Sequence, residues 1–341
     1  MDNTRKLILQ WAGQGLIRAS NTQPALEALG ILPRAGDWPR FLYKTALWLG
    51  ILALAFAVMF FIAYNWDVMG RFGRFFLVEG LILACVLVYW KMASDRLPAK
   101  LFLLAAVVLT GVLLALYGQV YQAGADTWQL FASWALLIVP WILVSRFTAM
   151  WLLWIILINT ALVLYFATMQ SILGIIFIRS SDTLLWPVFG FNALSWMIWE
   201  LNVSRYPWLQ QRWPVQLLAT ATGTTITTLM VIAIFDDNRS YPAVWLVYLA
   251  FTALVYYFYR LRRIDLYMMA GLCLSGIVSV SSLFIRFVFK GVDDAGSFYI
   301  MTFVLIALAG SATAWLKKLH REQLAGQSTE ATDKGQGHGQ S

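Results

Sequence analysis

Ten long apolar runs, separated by short polar segments, most constrain what this chain can fold into. Each run has close to the ~20 residues that a helix needs to cross the hydrocarbon core of a bilayer. Because no water is present there to bond the backbone, such runs must be helical. The sequence therefore predicts an all-α polytopic transmembrane bundle. Its expected spans are Thr45–Tyr64, Arg74–Trp90, Leu101–Val120, Trp128–Val144, Phe147–Thr168, Thr183–Leu201, Val215–Phe235, Pro242–Tyr259, Ile264–Phe289 and Ser297–Leu316.

The composition excludes several other classes of protein. Of the 341 residues, 60% are hydrophobic and 12% are charged, against roughly 25% charged residues in soluble domains. A cytosolic enzyme, a disordered chain and a secreted disulfide scaffold are excluded. Cys85 and Cys273 lie in apolar runs and are expected to be buried thiols. The two histidines, His320 and His338, both lie in the C-terminal tail, so we expect no metal site and no histidine-based triad in the body of the protein.

Two polar segments flank the predicted bundle, which covers residues 45–316. Residues 1–44 are expected to form a cytoplasmic segment of short helices, with Ser20 and Gln23 as a possible capping box. No apolar stretch follows the first cations, so we do not interpret this segment as a signal peptide. Residues 317–341 are rich in Gly, Gln, Ser and Thr and predict a disordered cytoplasmic tail. Residues 171–178 are apolar but too short to span, so they either extend the fifth helix or lie in the interface.

The distribution of cations predicts the orientation of the bundle. Ten spans with a cytoplasmic N-terminus place 19 of the 25 Lys and Arg residues inside, as the positive-inside rule requires. The formal net charge of +8 is therefore explained by an orientation with both termini in the cytoplasm, where the cations face anionic lipids. We expect no nucleic-acid partner. The six cations left outside are Arg71, Arg74, Arg179, Arg239, Arg286 and Lys290.

Glu79 is the one acidic residue that lies inside a predicted span and away from its ends. An ionised carboxylate at mid-helix costs roughly 2.5–3.5 kcal/mol on insertion, which the apolar residues of the same helix outweigh. Glu79 is expected about 6 Å inside the outer end of the span. At that depth we expect its side chain to be protonated or to form a hydrogen bond with a neighbouring helix. The functional alternative is that Glu79 forms a proton or cation site.

The most unusual local string joins the third and fourth spans at residues 117–126, which read Tyr-Gly-Gln-Val-Tyr-Gln-Ala-Gly-Ala-Asp. If a helix continued through it, Gln119, Gln122 and Asp126 would share one face, with Tyr121 nearby. That pattern would make a polar cluster facing a ligand. The alternative is structural, because Asp126 can cap the fourth helix with Gln129 three residues later.

This string resembles the signature of a bacterial predicted membrane-protein family, domain of unknown function 2157. The helical N-terminus and the multi-span body are similar too, so the resemblance covers nearly the whole chain. It marks residues 117–126 as family positions and implies a bacterial inner-membrane protein with several spans. It implies no mechanism, since no activity is established for the family.

Milder polar residues lie in other spans. The seventh span is rich in threonine between Thr220 and Thr228. On the ninth span, Gly271, Ser275 and Ser279 form a stripe of small residues. Helix packing explains both patterns, and a polar pathway is the alternative for the threonines. Asn159 lies in mid-span and is expected to bond to a neighbouring helix.

Three functions are compatible with these residues. The first is a non-catalytic component or scaffold of a membrane complex, with lipids and a membrane-protein partner or a second copy as its contacts. The second is a small-molecule or ion transporter that uses Glu79. The third is a membrane-embedded enzyme for lipid or envelope precursors, in which Glu79 and the polar residues of the 117–126 string would line one outer-side site, with Arg286 as an anion contact. We expect the first, and no cofactor, because no nucleotide, metalloprotease or serine-hydrolase motif is present.

Overall fold

The computed structural model describes residues 8, 11–13, 16–29, 32, 37–65, 68, 70–93, 95–122, 124–173, 182–237, 241–262, 265–288 and 295–337. Within these ranges every regular element is a helix, which confirms the all-α prediction. The helices are α1 Ala19–Ala28, α2 Asp37–Tyr64, α3 Arg71–Lys91, α4 Leu97–Tyr121, α5 Thr127–Leu137, α6 Val139–Ser145, α7 Thr148–Leu173, α8 Asp182–Asn202, α9 Arg212–Phe235, α10 Pro242–Tyr257, α11 Leu266–Val288 and α12 Ala295–Gly337. A 3₁₀ turn, Pro207–Leu209, precedes α9, and a π-helical turn, Phe258–Arg262, follows α10.

The described helices account for all ten predicted spans. Eight of them are long and apolar enough to cross a membrane, and α5 with α6 makes a ninth if the bent pair is one span. The remaining predicted span is α8, which has 21 residues. Its apolar residues are diluted by Pro187, Asn192 and Glu200, so it does not reach the same apolarity. The protein is thus a polytopic membrane protein.

The fourth predicted span, Trp128–Val144, is broken rather than straight. Helices α5 and α6 meet at Ile138 with a bend of 41°. Pro140 stands at the start of α6, and its nitrogen cannot donate to the carbonyl four residues earlier. The missing hydrogen bond explains the kink at this position.

Residues Met1–Gly124 form one compact unit. Helix α4 is its centre and packs against α3 and α2. Val78 of α3 and Leu116 of α4 are buried at this junction. Many of the other buried positions of α4 are alanine or glycine, such as Ala99, Ala106 and Gly111, and small residues let helix backbones approach closely.

Residues Ala125–Ser341 form the second unit. Helix α9 is its centre and packs against α8, α10 and α11, while α12 packs against α11 and α5 packs against α7. One core cluster gathers around Trp196, Tyr259 and Met269, at the end that the charge pattern predicts to be cytoplasmic. A second cluster gathers around Met230 and Tyr248.

The two flanking segments differ from the sequence predictions. Helix α12 continues to Gly337, whereas residues 317–341 were expected to be disordered. Residues 317–325, directly after the last predicted span, are mostly strong helix formers such as Lys, Leu, Arg, Glu and Gln, and they extend an existing helix without a new nucleus. Arg18 occupies the N-cap of α1, and the Ser20 hydroxyl bonds to Asn21, so the expected capping box is not formed. Helix α7 includes residues 171–173, and residues 174–178 lie outside the described residues.

Candidate functional site

Glu79 lies on the outward face of α3 and is exposed. Because α3 begins at Arg71, the residue lies about 12 Å along the helix at 1.5 Å per residue, deeper than expected. It makes no hydrogen bond or ion pair with the described residues. The expected bond to a neighbouring helix of the same chain is therefore absent from the described part of the structure.

The string 117–126 does not continue as a helix. Gln122 adopts the left-handed conformation with φ 43°, and its amide bonds to the Gly118 carbonyl to end α4. Gly124 follows with φ 60°, a conformation that glycine adopts without a steric penalty. Gln119, Gln122 and Asp126 therefore do not form one helical stripe.

The tyrosines of the string pack against aromatic neighbours. The ring centroids of Tyr117 and Tyr121 are 4.9 Å apart, and Tyr121 lies 6.0 Å from Phe75 of α3. Aromatic pairs at these separations stabilise helix packing. Tyr121 thus joins α4 to α3, and its ring has a structural role.

Asp126 stands at the N-cap of α5 with an extended backbone. Its carbonyl accepts the Gln129 amide at 3.0 Å, while its carboxylate makes no capping hydrogen bond. A negative charge at this end still complements the helix dipole. Glu79, Gln119, Tyr121 and Gln122 belong to the first unit and Asp126 to the second.

Arg286 near the end of α11 already has an anionic partner on the chain. Its guanidinium donates to the Asp237 carboxylate at 2.6 Å and to the Ile234 carbonyl. The cation therefore lies at the C-terminus of α9, where the helix dipole favours positive charge. This geometry supports a structural role for Arg286 rather than the anion contact suggested by the sequence.

A charged cluster that sequence reasoning missed joins three helix ends. Arg212 at the start of α9 lies 2.6 Å from Asp265 and 3.3 Å from Glu200 at the end of α8. The Glu200 side chain is 6% exposed and that of Asp265 is 13% exposed. In the sequence these residues are separate charges at the ends of apolar stretches, and only the packing of α8, α9 and α11 brings them together.

Asn159 of α7 and Asn192 of α8 form a reciprocal amide pair. Asn159 donates to Asn192 at 3.2 Å, and Asn192 donates back at 2.6 Å. Each side chain also donates to the carbonyl four residues earlier on its own helix. The expected interhelical bond of Asn159 is thus confirmed.

Replacing Asn192 with Leu should lower the free energy of unfolding by about 1 kcal/mol, because the Asn159 amide then loses its partner inside the bundle. Reversible unfolding in mixed micelles would measure this change. Asn202→Leu is the control, since the Asn202 side chain donates to Ile198 of its own helix. Equal effects of the two substitutions would contradict an interhelical contribution.

A cavity of about 580 Å³, open on one side, lies between α9, α10 and α11. Thr220, Gly223 and Thr224 of α9 and Gly271 and Ser275 of α11 are among its lining residues. We call it the α9–α11 cavity. No group of three acidic, histidine or cysteine side chains that could hold a metal ion occurs among the described residues.

Comparison with known proteins gives a match to a family model that covers the N-terminal part of the chain. Residues 9–151 match the family model described as "Predicted membrane protein (DUF2157)". The match confirms the resemblance inferred from residues 117–126, but over residues 9–151 and not over nearly the whole chain. It runs from the N-terminal segment to Trp151 in the first turn of α7, so the α9–α11 cavity lies outside it. No curated protein and no solved structure matches the chain.

Proposed function

We propose that this multi-pass membrane protein is a non-catalytic component of a protein complex in the cytoplasmic membrane of a bacterium. The observation that carries the proposal is Glu79, a carboxylate exposed on a spanning helix at mid-depth. It lies within the part of the chain that matches the family model. A partner at this face would give the carboxylate the hydrogen bonds that lipid cannot supply.

The surroundings of Glu79 suit close contact with another helix. Phe76, Leu83 and Leu87 are exposed on the same face of α3. Gly80 is exposed beside the carboxylate, and a Cβ atom there would meet nothing within 4 Å. Ala84 follows one turn later, and such small pairs allow helix backbones to approach closely in membranes.

The occupant that we propose is a transmembrane helix of a different protein, carrying Lys, Arg, Asn or Gln at matching depth. A carboxylate in hydrocarbon is stabilised best by a charged or amide donor. In the described spans of this chain, Lys and Arg lie at the ends of the apolar stretches. The amides of Asn159 and Asn192 are already bonded to each other, so a second copy could not readily present a donor at mid-depth. Charge complementarity therefore favours a hetero-oligomeric partner.

Photo-crosslinking in native membranes tests the proposal. A photoreactive residue at Leu83 should give one product with a single partner, and mass spectrometry should place the linkage on a helix with a mid-depth donor. Glu79→Ala should reduce its yield at least about fivefold, because an interhelical hydrogen bond of this kind contributes about 1–2 kcal/mol. Glu79→Gln should retain more of the yield, since an amide still hydrogen-bonds.

Two controls make the crosslinking result decisive. The same photoreactive residue at Phe303, which is exposed on α12, should not give that product, and Gly80→Leu should block it by steric exclusion. A product of two copies of this chain would contradict the hetero-oligomeric partner. A yield unchanged in both Glu79→Ala and Gly80→Leu would overturn the proposal.

A further inference from the structure

We infer that the α9–α11 cavity binds an uncharged, lipid-like molecule that carries a hydroxyl group. The volume of about 580 Å³ lies within the range of roughly 300–1,000 Å³ that is typical of small-molecule sites. The walls combine α9, α10 and α11, with Trp196 of α8 at one side. This site is independent of Glu79 and of the proposed complex, because it lies wholly within the second unit.

The length of the cavity limits the length of the molecule that it can bind. Along α9 it extends from Ala219 to Val231, which is about 18 Å at 1.5 Å per residue. A transmembrane helix would need a groove along the ~30 Å of the hydrocarbon core. The cavity is too short for such a helix, and it matches a single lipid chain with a small head.

The lining excludes a charged ligand group. Every residue that lines the cavity is uncharged, and Phe251, Val255 and Leu274 make much of the wall apolar. A charged group would lose its hydration here without meeting an opposite charge. The buried part of the occupant is therefore neutral.

A chain of hydroxyl groups reaches the wall of the cavity at Thr227 and Ser275, which line it. Thr227 donates to the Gly223 carbonyl at 2.6 Å and lies 2.7 Å from the Ser275 hydroxyl. Tyr248 lies 3.0 Å from Ser275 and accepts the proton of Ser279 at 2.9 Å. Because each hydroxyl has one proton, the direction is fixed as Ser279 to Tyr248 to Ser275 to Thr227. Every proton of the chain is used, and only oxygen lone pairs remain for a ligand.

The hydroxyl protons of two other threonines are also used in hydrogen bonds within the protein. Thr220 donates to the Gln216 carbonyl at 2.7 Å, so the Tyr267 hydroxyl, 2.8 Å away, is the donor to Thr220. Thr228 donates to the Thr224 carbonyl at 2.9 Å. These hydroxyl oxygens likewise accept from a ligand rather than donate to it.

Thr224 differs from these residues because its hydroxyl proton is not used within the described part of the chain. Its hydroxyl lines the cavity and makes no hydrogen bond with the described residues. A ligand hydroxyl can accept from Thr224 and donate to one of the neighbouring oxygens, whereas a carbonyl could only accept and a hydrocarbon could do neither. The donor and acceptor pattern therefore selects an alcohol.

Two glycines on facing helices keep the space open. Gly223 of α9 and Gly271 of α11 both line the cavity, and a Cβ atom at either position would meet nothing within 4 Å. Larger side chains at these positions would therefore fill the cavity without displacing the backbone. This gives variants that block the site and leave the fold intact.

Photolabelling of the purified full-length chain in nanodiscs tests the inference. The probes are a diazirine-bearing hexadecanol and the corresponding diazirine-bearing hexadecane, with labelled peptides identified by mass spectrometry. The alcohol should label residues 219–231 and 267–278 about fivefold more than the alkane does, after normalisation to peptides of α12, because a ligand hydrogen bond contributes a preference of this size.

Three variants and one control separate the cavity from the lipid-facing surface. Gly223→Leu and Gly271→Leu should each lower labelling of these peptides about tenfold, as expected when a ligand of this size loses its pocket. Gly310→Leu on exposed α12 should change nothing, and it controls for adding a leucine to a spanning helix. Thr224→Val should keep the labelling and abolish the preference for the alcohol.

Two outcomes would overturn the inference. Labelling that persists in both Gly223→Leu and Gly271→Leu, with unfolding curves like wild type, would show that the probe binds elsewhere. Equal labelling by the alcohol and the alkane in the wild-type chain would contradict the role of the hydroxyl groups. Glu79→Ala should leave all of these results unchanged, so failure here is distinguishable from failure of the proposed complex.

Discussion

Arg212→Met is expected to lower the free energy of unfolding by about 2–3 kcal/mol, measured by reversible unfolding in mixed micelles. The substitution leaves Glu200 and Asp265 nearly buried without their cation. Removing one member of a buried ion pair costs about 3–5 kcal/mol. We expect less here, because the Arg212 side chain is 35% exposed and water screens part of the interaction.

The matched control is Arg205→Met. Arg205 is exposed and lies over the Tyr206 ring at 5.8 Å, a contact worth only about 0.5–1 kcal/mol at such a site. Adding Glu200→Gln and Asp265→Asn to Arg212→Met should recover much of the loss, since no unpaired charge then remains buried. If the triple variant is no more stable than Arg212→Met, the cluster does not act through charge pairing.

The charged cluster shows where sequence reasoning ends. Glu200, Arg212 and Asp265 are separated by 12 and 53 residues, and each stands at the end of an apolar stretch, where charges usually orient a span. Their pairing depends on how α8, α9 and α11 pack. Hydropathy along the chain carries no information about that packing.

The spans themselves could be predicted, because the cost of unbonded backbone in hydrocarbon leaves helix as the outcome for each long apolar run. Asp126 does stand at the N-cap of α5, as the sequence suggested, although its carboxylate makes no capping hydrogen bond. The bend at Ile138 was missed because hydropathy predicts one continuous span over Trp128–Val144 and does not register the hydrogen bond that Pro140 removes. The stripe through Gln122 failed because a non-glycine residue adopts a left-handed conformation there, which the pattern of polar residues does not reveal.

Of the two candidate sites, one could be predicted from the sequence and the other could not. Glu79 was predicted from its chemistry alone, since a carboxylate among apolar residues needs a partner. The α9–α11 cavity could not be predicted as a cavity, because the same threonines and glycines would also suit closely packed helices. Only the separation between the helices distinguishes a packed seam from an open site.

Trp196→Ala is expected to lower the free energy of unfolding by about 2–3 kcal/mol in the same micelle assay. Trp196 is 7% exposed, stacks on Tyr259 at a centroid distance of 6.1 Å and contacts Phe251 at 5.9 Å. In soluble proteins the loss of a buried Trp costs about 3–5 kcal/mol, part of which is transfer from water.

A smaller value is expected in this protein because lipid is as apolar as the bundle interior, so the transfer part largely vanishes and the packing and ring contacts remain. Trp213→Ala is the control, since Trp213 is 49% exposed on α9 and its indole N–H donates to Gln211 only two residues earlier. A loss for Trp196→Ala no larger than that of Trp213→Ala would show that the aromatic cluster does not stabilise the bundle. A loss near the full soluble value would show that the unfolded chain in micelles exposes this region to water, so that burial from water contributes at this end of the bundle.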